Sequence, residues 1–65
     1  MYGKKIRELR KNNGLTQLEF AKKVGISRVT ICKYENESLD LSTKSITAIC
    51  KTFNVSADYL LGLSD

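Results

Sequence analysis

Histidine and proline are absent from this chain, and cysteine occurs only at Cys32 and Cys50. Without histidine, and with the two cysteines far apart, the sequence predicts neither a zinc site nor a disulfide framework. It also contains no glycine-rich phosphate loop and no pair of converging carboxylates, so the usual constituents of an enzyme active site are missing. We therefore expect a protein that is not an enzyme and that uses no metal or cofactor.

Long hydrophobic runs are also absent. No stretch approaches the ~20 apolar residues that cross a bilayer, and the opening residues, MYGKKIRELR, lack the apolar segment of a signal peptide. We expect a cytoplasmic protein with reduced thiols. Cys50 belongs to an apolar stripe and is predicted to be a small core residue. Cys32 does not, so both an oxidant-sensing thiol and a tolerated exposed residue fit it.

The 65 residues include no linker or low-complexity segment, so residues 1–65 are predicted to form one domain. A chain of this length buries only ~60% of the surface that it exposes when unfolded, which makes the core marginal and a dimer advantageous. Residues 1–35 carry nine basic and three acidic side chains, whereas residues 36–65 carry two and four. This basic half suggests a polyanionic partner, although an ordinary solvated surface explains it nearly as well.

A short pattern recurs at three points of the chain. Gly14, Gly25 and Asn54 are each followed by an apolar residue and then by a hydroxyl residue. Glycine and asparagine end helices in the left-handed conformation, and the hydroxyl caps the next helix. No segment alternates as a strand would, so the predicted fold class is all-α. With a fourth cap at Ser42, these signals and the helical spacing of apolar residues predict five helices, near residues 2–13, 17–24, 28–36, 43–53 and 57–61.

The third predicted helix, within VGISRVTICKYEN, has two chemically different faces. At ~100° per residue, Thr30, Ile31 and Tyr34 fall on an inward face. Arginine and lysine donate hydrogen bonds to guanine, asparagine bonds adenine or a phosphate, and valine contacts the methyl group of thymine. The outward arc of the helix carries these DNA-reading chemistries, in the set Arg28, Val29, Cys32, Lys33 and Asn36. An ordinary solvated helix face is the alternative interpretation of this arc, and composition alone leaves both open.

The second predicted helix favours the DNA-binding alternative. It joins the third through a short turn at Gly25 and Ile26, and Ala21 is small enough for the two helices to approach closely. Two short helices joined in this way are typical of a helix-turn-helix, in which the second helix lies in the major groove of DNA.

The segment LTQLEFAKKVGISRVTICKYEN, residues 15–36, resembles the helix-turn-helix of the Xre-type family, the five-helix DNA-binding domains of phage repressor and Cro proteins. NVSADYLLG, residues 54–62, is similar to the closing helix of that family. The resemblance implies a compact lambda-repressor-like domain with the helix-turn-helix at helices 2 and 3. It also implies a base-reading set made of Ser27, Arg28, Val29, Cys32 and Lys33.

Contacts to DNA phosphates are also implied by the resemblance. Gln17 is expected to bond a phosphate at the N-terminus of the second helix, where the helix dipole favours anions, and to orient residue 28; a polar first residue of a helix is the alternative. Arg10 is expected to pair with Glu35 and direct its remaining donors to a phosphate; two unrelated surface charges are the alternative. The full expected set is Arg10, Thr16, Gln17, Lys22, Asn36, Thr43 and Lys44.

One loop departs from the family pattern. After Asn36 the family commonly has glycine and then basic residues, whereas ESLDLSTK, residues 37–44, contains Glu37 and Asp40. We expect Asn36 to adopt the left-handed conformation that glycine would adopt. Backbone N–H groups of Thr43 and Lys44 are expected to replace the missing basic contacts.

The sequence thus predicts a transcriptional regulator, with repression as the first expectation, that binds a palindromic DNA operator as a homodimer with half-sites about one turn, ~34 Å, apart. Binding over a promoter would exclude RNA polymerase, whereas contact with the polymerase would activate transcription. The second hypothesis is a protein-interaction module of the same fold, such as an antitoxin or an anti-repressor. The acidic loop favours this second hypothesis slightly.

Overall fold

Five helices follow one another in the computed structural model, which describes residues 2–63. The predicted all-α class is confirmed, and no strand occurs between residues 2 and 63. The first, third and fifth helices each end one residue earlier than predicted. Within the described part of the chain, no helix has both the length and the apolar character needed to span a membrane. The helices are α1 (Tyr2–Asn12), α2 (Gln17–Val24), α3 (Arg28–Glu35), α4 (Thr43–Phe53) and α5 (Ala57–Leu60).

Hydroxyl side chains begin four of these helices. The oxygens of Thr16, Ser27, Ser42 and Ser56 each accept the backbone N–H three residues further on, at 3.1 to 3.2 Å. In α2 the carboxylate of Glu19 also accepts the backbone N–H of Thr16 at 2.8 Å, which completes a capping box. These hydrogen bonds from Thr16 hold the pKa of the Glu19 carboxyl below its ordinary value. The predicted caps are confirmed.

Three corners between helices have the predicted left-handed residue. The φ angles are 66° at Gly14, 72° at Gly25 and 56° at Asn54. At Gly25 and Asn54 the backbone N–H still donates to the helix that has just ended, to the carbonyls of Ala21 and Cys50 respectively. Each corner therefore satisfies a terminal carbonyl while it turns the chain towards the next helix.

The end of α3 differs from the prediction. Asn36 has a φ of −92°, and the left-handed residue is Glu37, with a φ of 62°. The expectation for Asn36 was wrong because the helical turn continues one residue further. The N–H of Glu37 donates to the carbonyl of Tyr34 at 3.1 Å, and the N–H of Ser38 donates to that of Lys33 at 2.9 Å. This pair of bonds is a Schellman-type ending, which puts the left-handed position after Asn36.

The core lies between all five helices. Phe20 is fully buried, and its ring stacks on that of Phe53 with centroids 5.0 Å apart. Cys50 lies partly buried against this core, and burial raises the pKa of its thiol. The buried apolar residues are Ile6, Leu9, Phe20, Ala21, Val24, Ile31, Tyr34, Ile49 and Leu60.

At Gly3, α1 lies directly against the end of α3. A Cβ atom built on Gly3 would lie 2.2 Å from the carbonyl oxygen of Tyr34 and 2.8 Å from that of Glu35. Only a residue without a side chain fits this approach, because real Cβ atoms do not come within 3.0 Å of backbone oxygens. The last turn of α3 is therefore held against α1.

Candidate nucleic-acid interface

The turn between α2 and α3 places the two helices in close contact. The N–H groups of Gly25 and Ile26 both donate to the carbonyl of Ala21, at 2.9 and 3.1 Å. Ala21 is buried, and Ile26 packs against the core from the turn. Ser27 then caps α3, so the direction of α3 follows from the turn and the cap together.

The inward face of α3 is buried as its periodicity predicts. Ile31 is fully buried, Tyr34 is 4% exposed, and Thr30 is half-buried. Thr30 accepts a hydrogen bond from the hydroxyl of Ser27 at 2.8 Å. These residues fix the rotation of α3 about its own axis, which decides which side chains point outward.

The outward face of α3 carries two cations and an unusually exposed apolar side chain. Arg28 and Lys33 are exposed, and Val29 is 60% exposed. Cys32 is half-buried. Asn36, just beyond the helix, is also exposed, as is Ser27 at its start. The helix therefore presents donors and one apolar group together; their contact with bases stays a prediction.

A nearly buried ion pair joins α1 to α3. Glu35 accepts from Arg10 Nε at 2.7 Å and from a terminal guanidinium nitrogen at 3.0 Å. The side chains are 13% and 6% exposed respectively. This hydrogen bond to Glu35 raises the pKa of Arg10, although burial opposes it. The remaining terminal nitrogen of Arg10 donates to the carbonyl of Leu15 at 2.9 Å, which ties the pair to the α1–α2 corner.

The first residue of α2 reaches the same carboxylate. The amide nitrogen of Gln17 donates to Glu35 Oε1 at 3.3 Å, so Glu35 gathers donors from α1 and from α2. Three N–H groups of the Arg10 guanidinium have protein acceptors, which leaves two of its five for any phosphate. The phosphate contacts of Arg10 and Gln17 stay predictions.

The other expected phosphate contacts lie at helix starts and on the exposed last turn of α2. Lys22 is exposed on α2, and Thr43 and Lys44 are exposed in the first turn of α4. The N–H groups of the first helical residues have no partner within their own helix. Thr16 is exposed as well, with its hydroxyl engaged in the cap of α2.

Sequence reasoning missed the hydrogen bond of Gln17 to Glu35, and it also missed one that joins α3 to α4. The hydroxyl groups of Tyr34 and Ser45 lie 2.8 Å apart and are buried. A signal for it existed, since Ser45 precedes Ile49 by one helical turn and therefore lies on the apolar face of α4.

The family model described as helix-turn-helix matches residues 6–60. The chain belongs to the Xre-type helix-turn-helix family. Among its curated relatives, the antitoxin PezA of Streptococcus pneumoniae serotype 4 is 52% identical over 62 residues, which cover 95% of this chain and 39% of PezA. The transcriptional regulator ImmR of Bacillus subtilis is 38% identical over 60 residues, which cover 92% of this chain and 47% of ImmR. This helix-turn-helix chain thus spans less than half the length of either relative.

A solved structure of the P22 c2 repressor bound to a synthetic operator has the same fold. It superposes with a TM-score of 0.84 at 32% sequence identity, and the match covers 92% of this chain and 91% of the repressor chain. The restriction-modification controller protein C.AhdI of Aeromonas hydrophila superposes with a TM-score of 0.83 at 25% identity, covering 91% and 89% of the two chains. The predicted lambda-repressor-like fold of this Xre-type chain is confirmed.

Proposed function

We propose that this chain binds double-stranded DNA sequence-specifically and regulates transcription by inserting α3 into the major groove. The observation that carries the proposal is the outward face of α3, where Arg28, Val29 and Lys33 are exposed on a helix whose rotation is fixed by buried residues. A rigid helix with donors on one side suits the major groove, which is wide enough to admit it. The P22 c2 repressor, which was solved with an operator, supports this proposal through its shared fold.

Base reading is assigned to the five outward residues at and after the start of α3. Arg28 and Lys33 are the main donors to guanine O6 and N7, and Val29 is the partner of a thymine methyl group. Ser27 and Cys32 border them and read or exclude neighbouring base pairs. No carboxylate is among these five residues, so none of them repels the DNA phosphates.

Phosphate contacts hold α3 at its place in the groove. The free N–H groups of Thr43 and Lys44, with the positive end of the α4 dipole, bind one phosphate, and Gln17 at the start of α2 binds another. The remaining phosphate contacts come from side chains within the helix-turn-helix or next to it. They are assigned to Arg10, Thr16, Lys22 and Asn36.

The chain acts as a homodimer on a palindromic operator in the cytoplasm. Two copies related by a two-fold axis read two half-sites about one helical turn, ~34 Å, apart. Occupation of a promoter by such a dimer excludes RNA polymerase, which makes repression the primary outcome.

Selection of bound duplexes from a random DNA pool tests the proposal. We expect one symmetric sequence to be enriched at moderate salt. Arg28→Ala then lowers affinity for that sequence by ~1–3 kcal/mol and relaxes the preference at one base pair. Lys44→Ala is the matched control, because it weakens all sequences alike and lowers the salt slope by about one. A pool that yields no preferred sequence, or an Arg28→Ala variant that loses affinity equally for every duplex, contradicts the assignment.

A second candidate is a protein-binding module of the same fold. The identity to the antitoxin PezA favours it, as does the exposed acidic loop with Glu37 and Asp40. The same selection separates the two candidates, since a module that only binds protein enriches no duplex.

A further inference from the structure

The recognition helix α3 is joined to the start of α4 by a buried hydrogen bond. The hydroxyl of Tyr34 and that of Ser45 are 2.8 Å apart, and the two residues are 4% and 8% exposed. Between Tyr34 and Ser45, the polypeptide leaves α3 and passes through residues 36–40, which are exposed, before α4 begins. An exposed loop does not by itself fix the spacing of the two helices. Leu41 and Ile46 pack against the core, and the Tyr34–Ser45 bond adds a directional contact between α3 and the first turn of α4.

The same bond reaches the cap of α4. Ser42 accepts the backbone N–H of Ser45 at 3.1 Å, and its hydroxyl donates to Ser45 Oγ at 3.1 Å. The hydroxyl groups of Tyr34, Ser45 and Ser42 are therefore linked by consecutive hydrogen bonds. These bonds run from the inner face of α3 to the cap and first turn of α4. At the other end, Tyr34 is held in place because its carbonyl lies against Gly3 of α1.

We propose that Tyr34 is a positioning residue for DNA recognition: acting through Ser45, it holds the phosphate-binding start of α4 at a fixed spacing from the base-reading face of α3. This inference rests on the proposed function. A phosphate contact at Thr43 and Lys44 sets the depth and register of α3 only if the spacing between the two helices is constant. Base pairs are read by hydrogen bonds of narrow geometry, whereas contacts to unselected DNA tolerate displacement.

The free energy that a neutral hydrogen bond contributes to stability limits how much the loss of the Tyr34–Ser45 bond can change DNA binding. Loss of this bond lowers the fraction of molecules with the correct spacing of α3 and α4 by a factor between about 2 and 10. The apparent affinity for the selected duplex falls by the same factor, because only the correctly arranged molecules bind it fully. Binding to unselected DNA depends chiefly on charge and is unaffected.

Tyr34→Phe is the variant that tests this role. It removes only the phenolic oxygen. Ser45 keeps Ser42 as a hydrogen-bond partner, so the buried hydroxyl of Ser45 is not left without a hydrogen bond. Tyr59→Phe, which removes the same atom on α5, is the matched control. For each protein we would measure the dissociation constant for the duplex that the wild type selects and for an unselected duplex of equal length. Salt is held constant, and the temperature is one at which circular dichroism finds every variant folded.

The expected result is a loss of about 2- to 10-fold in the ratio of selected to unselected affinity for Tyr34→Phe, with no change for Tyr59→Phe. Ser45→Ala is expected to give a similar loss, and the double variant no more than the larger single loss, because both act through one bond. A merely structural Tyr34 would lower the melting temperature and leave the ratio unchanged, which would overturn the proposal. Additive losses would overturn it as well. If the wild type selects no duplex, the proposed function fails and this role fails with it.

Discussion

Replacing Gly3 by alanine tests how closely α1 lies against the end of α3. At an exposed position inside a helix, this substitution stabilises a protein by ~1 kcal/mol. Here the new Cβ would lie 2.2 Å from the carbonyl oxygen of Tyr34 and 2.8 Å from that of Glu35. Both atoms belong to the backbone, so no side chain can rotate out of the way. One of the two helices has to move.

The expected magnitude follows from two opposing effects. Overpacking a close contact costs ~1–3 kcal/mol, and a collision with two backbone groups belongs at the upper end of that range. Subtracting the ~1 kcal/mol gained in helix propensity leaves a destabilisation of ~2 kcal/mol. A domain of this size has only ~3–5 kcal/mol of stability to lose, so the change removes about half of it. The melting temperature should fall by ~8–16 °C.

Urea and thermal unfolding, followed by circular dichroism, measure the effect. Lys4→Ala is the control, because Lys4 is the exposed neighbour of Gly3 in α1 and its replacement leaves helix propensity nearly unchanged. The control should unfold within ~0.5 kcal/mol of the wild type. A Gly3→Ala variant as stable as the wild type, or more stable, would refute the close approach of the two helices.

Three further predictions concern single side chains. Glu35→Ala should lower the free energy of unfolding in urea by ~1.5–3 kcal/mol, because it removes both hydrogen bonds between the guanidinium of Arg10 and its carboxylate partner; a loss below ~1 kcal/mol would contradict this. The folded-state pKa of Glu19 is lowered by its bonds to Thr16, so its contribution to stability is present above the ordinary pKa near 4.5 and is lost as the pH falls through the lower, folded value. Glu19→Gln should therefore make the melting temperature depend less on pH between about pH 5 and pH 2. A pH dependence equal to that of the wild type would disprove this prediction. Alkylation of Cys32 should block binding to the selected duplex in a gel shift, whereas the same treatment should leave the affinity of Cys32→Ala protein unchanged; alkylated wild type that binds normally would contradict the place of Cys32 in the interface.

The helices could be predicted from the sequence because their ends depend on neighbouring residues. A cap such as Thr16 or Ser27 acts on an N–H group three residues away, so its whole mechanism is visible in a short segment. The end of α3 was less predictable. Whether Asn36 or Glu37 becomes the left-handed residue depends on how far the last turn of α3 continues, and both residues suit the surface.

The candidate site also has parts that the sequence predicts and parts that it does not. The outward position of Arg28 and Lys33 follows from helical periodicity within one helix, and the structure agrees with it. The pairing of Arg10 with Glu35, 25 positions apart, was accessible only through resemblance to a family. The contact of Gly3 with the end of α3 depends on tertiary packing that no local pattern encodes, and the sequence therefore gave no sign of it.

Titration of the ¹⁵N-labelled chain with its selected duplex, followed by NMR, tests the central claim most directly. If the outward face of α3 enters the major groove, the amide signals of residues 27–33 should move most, followed by those of Thr43 and Lys44. Signals from α5 should stay in place. Unmoved signals at Arg28 and Lys33, with large shifts at α5 or in the acidic loop at Glu37 and Asp40, would contradict the assignment of α3 as the DNA-reading helix.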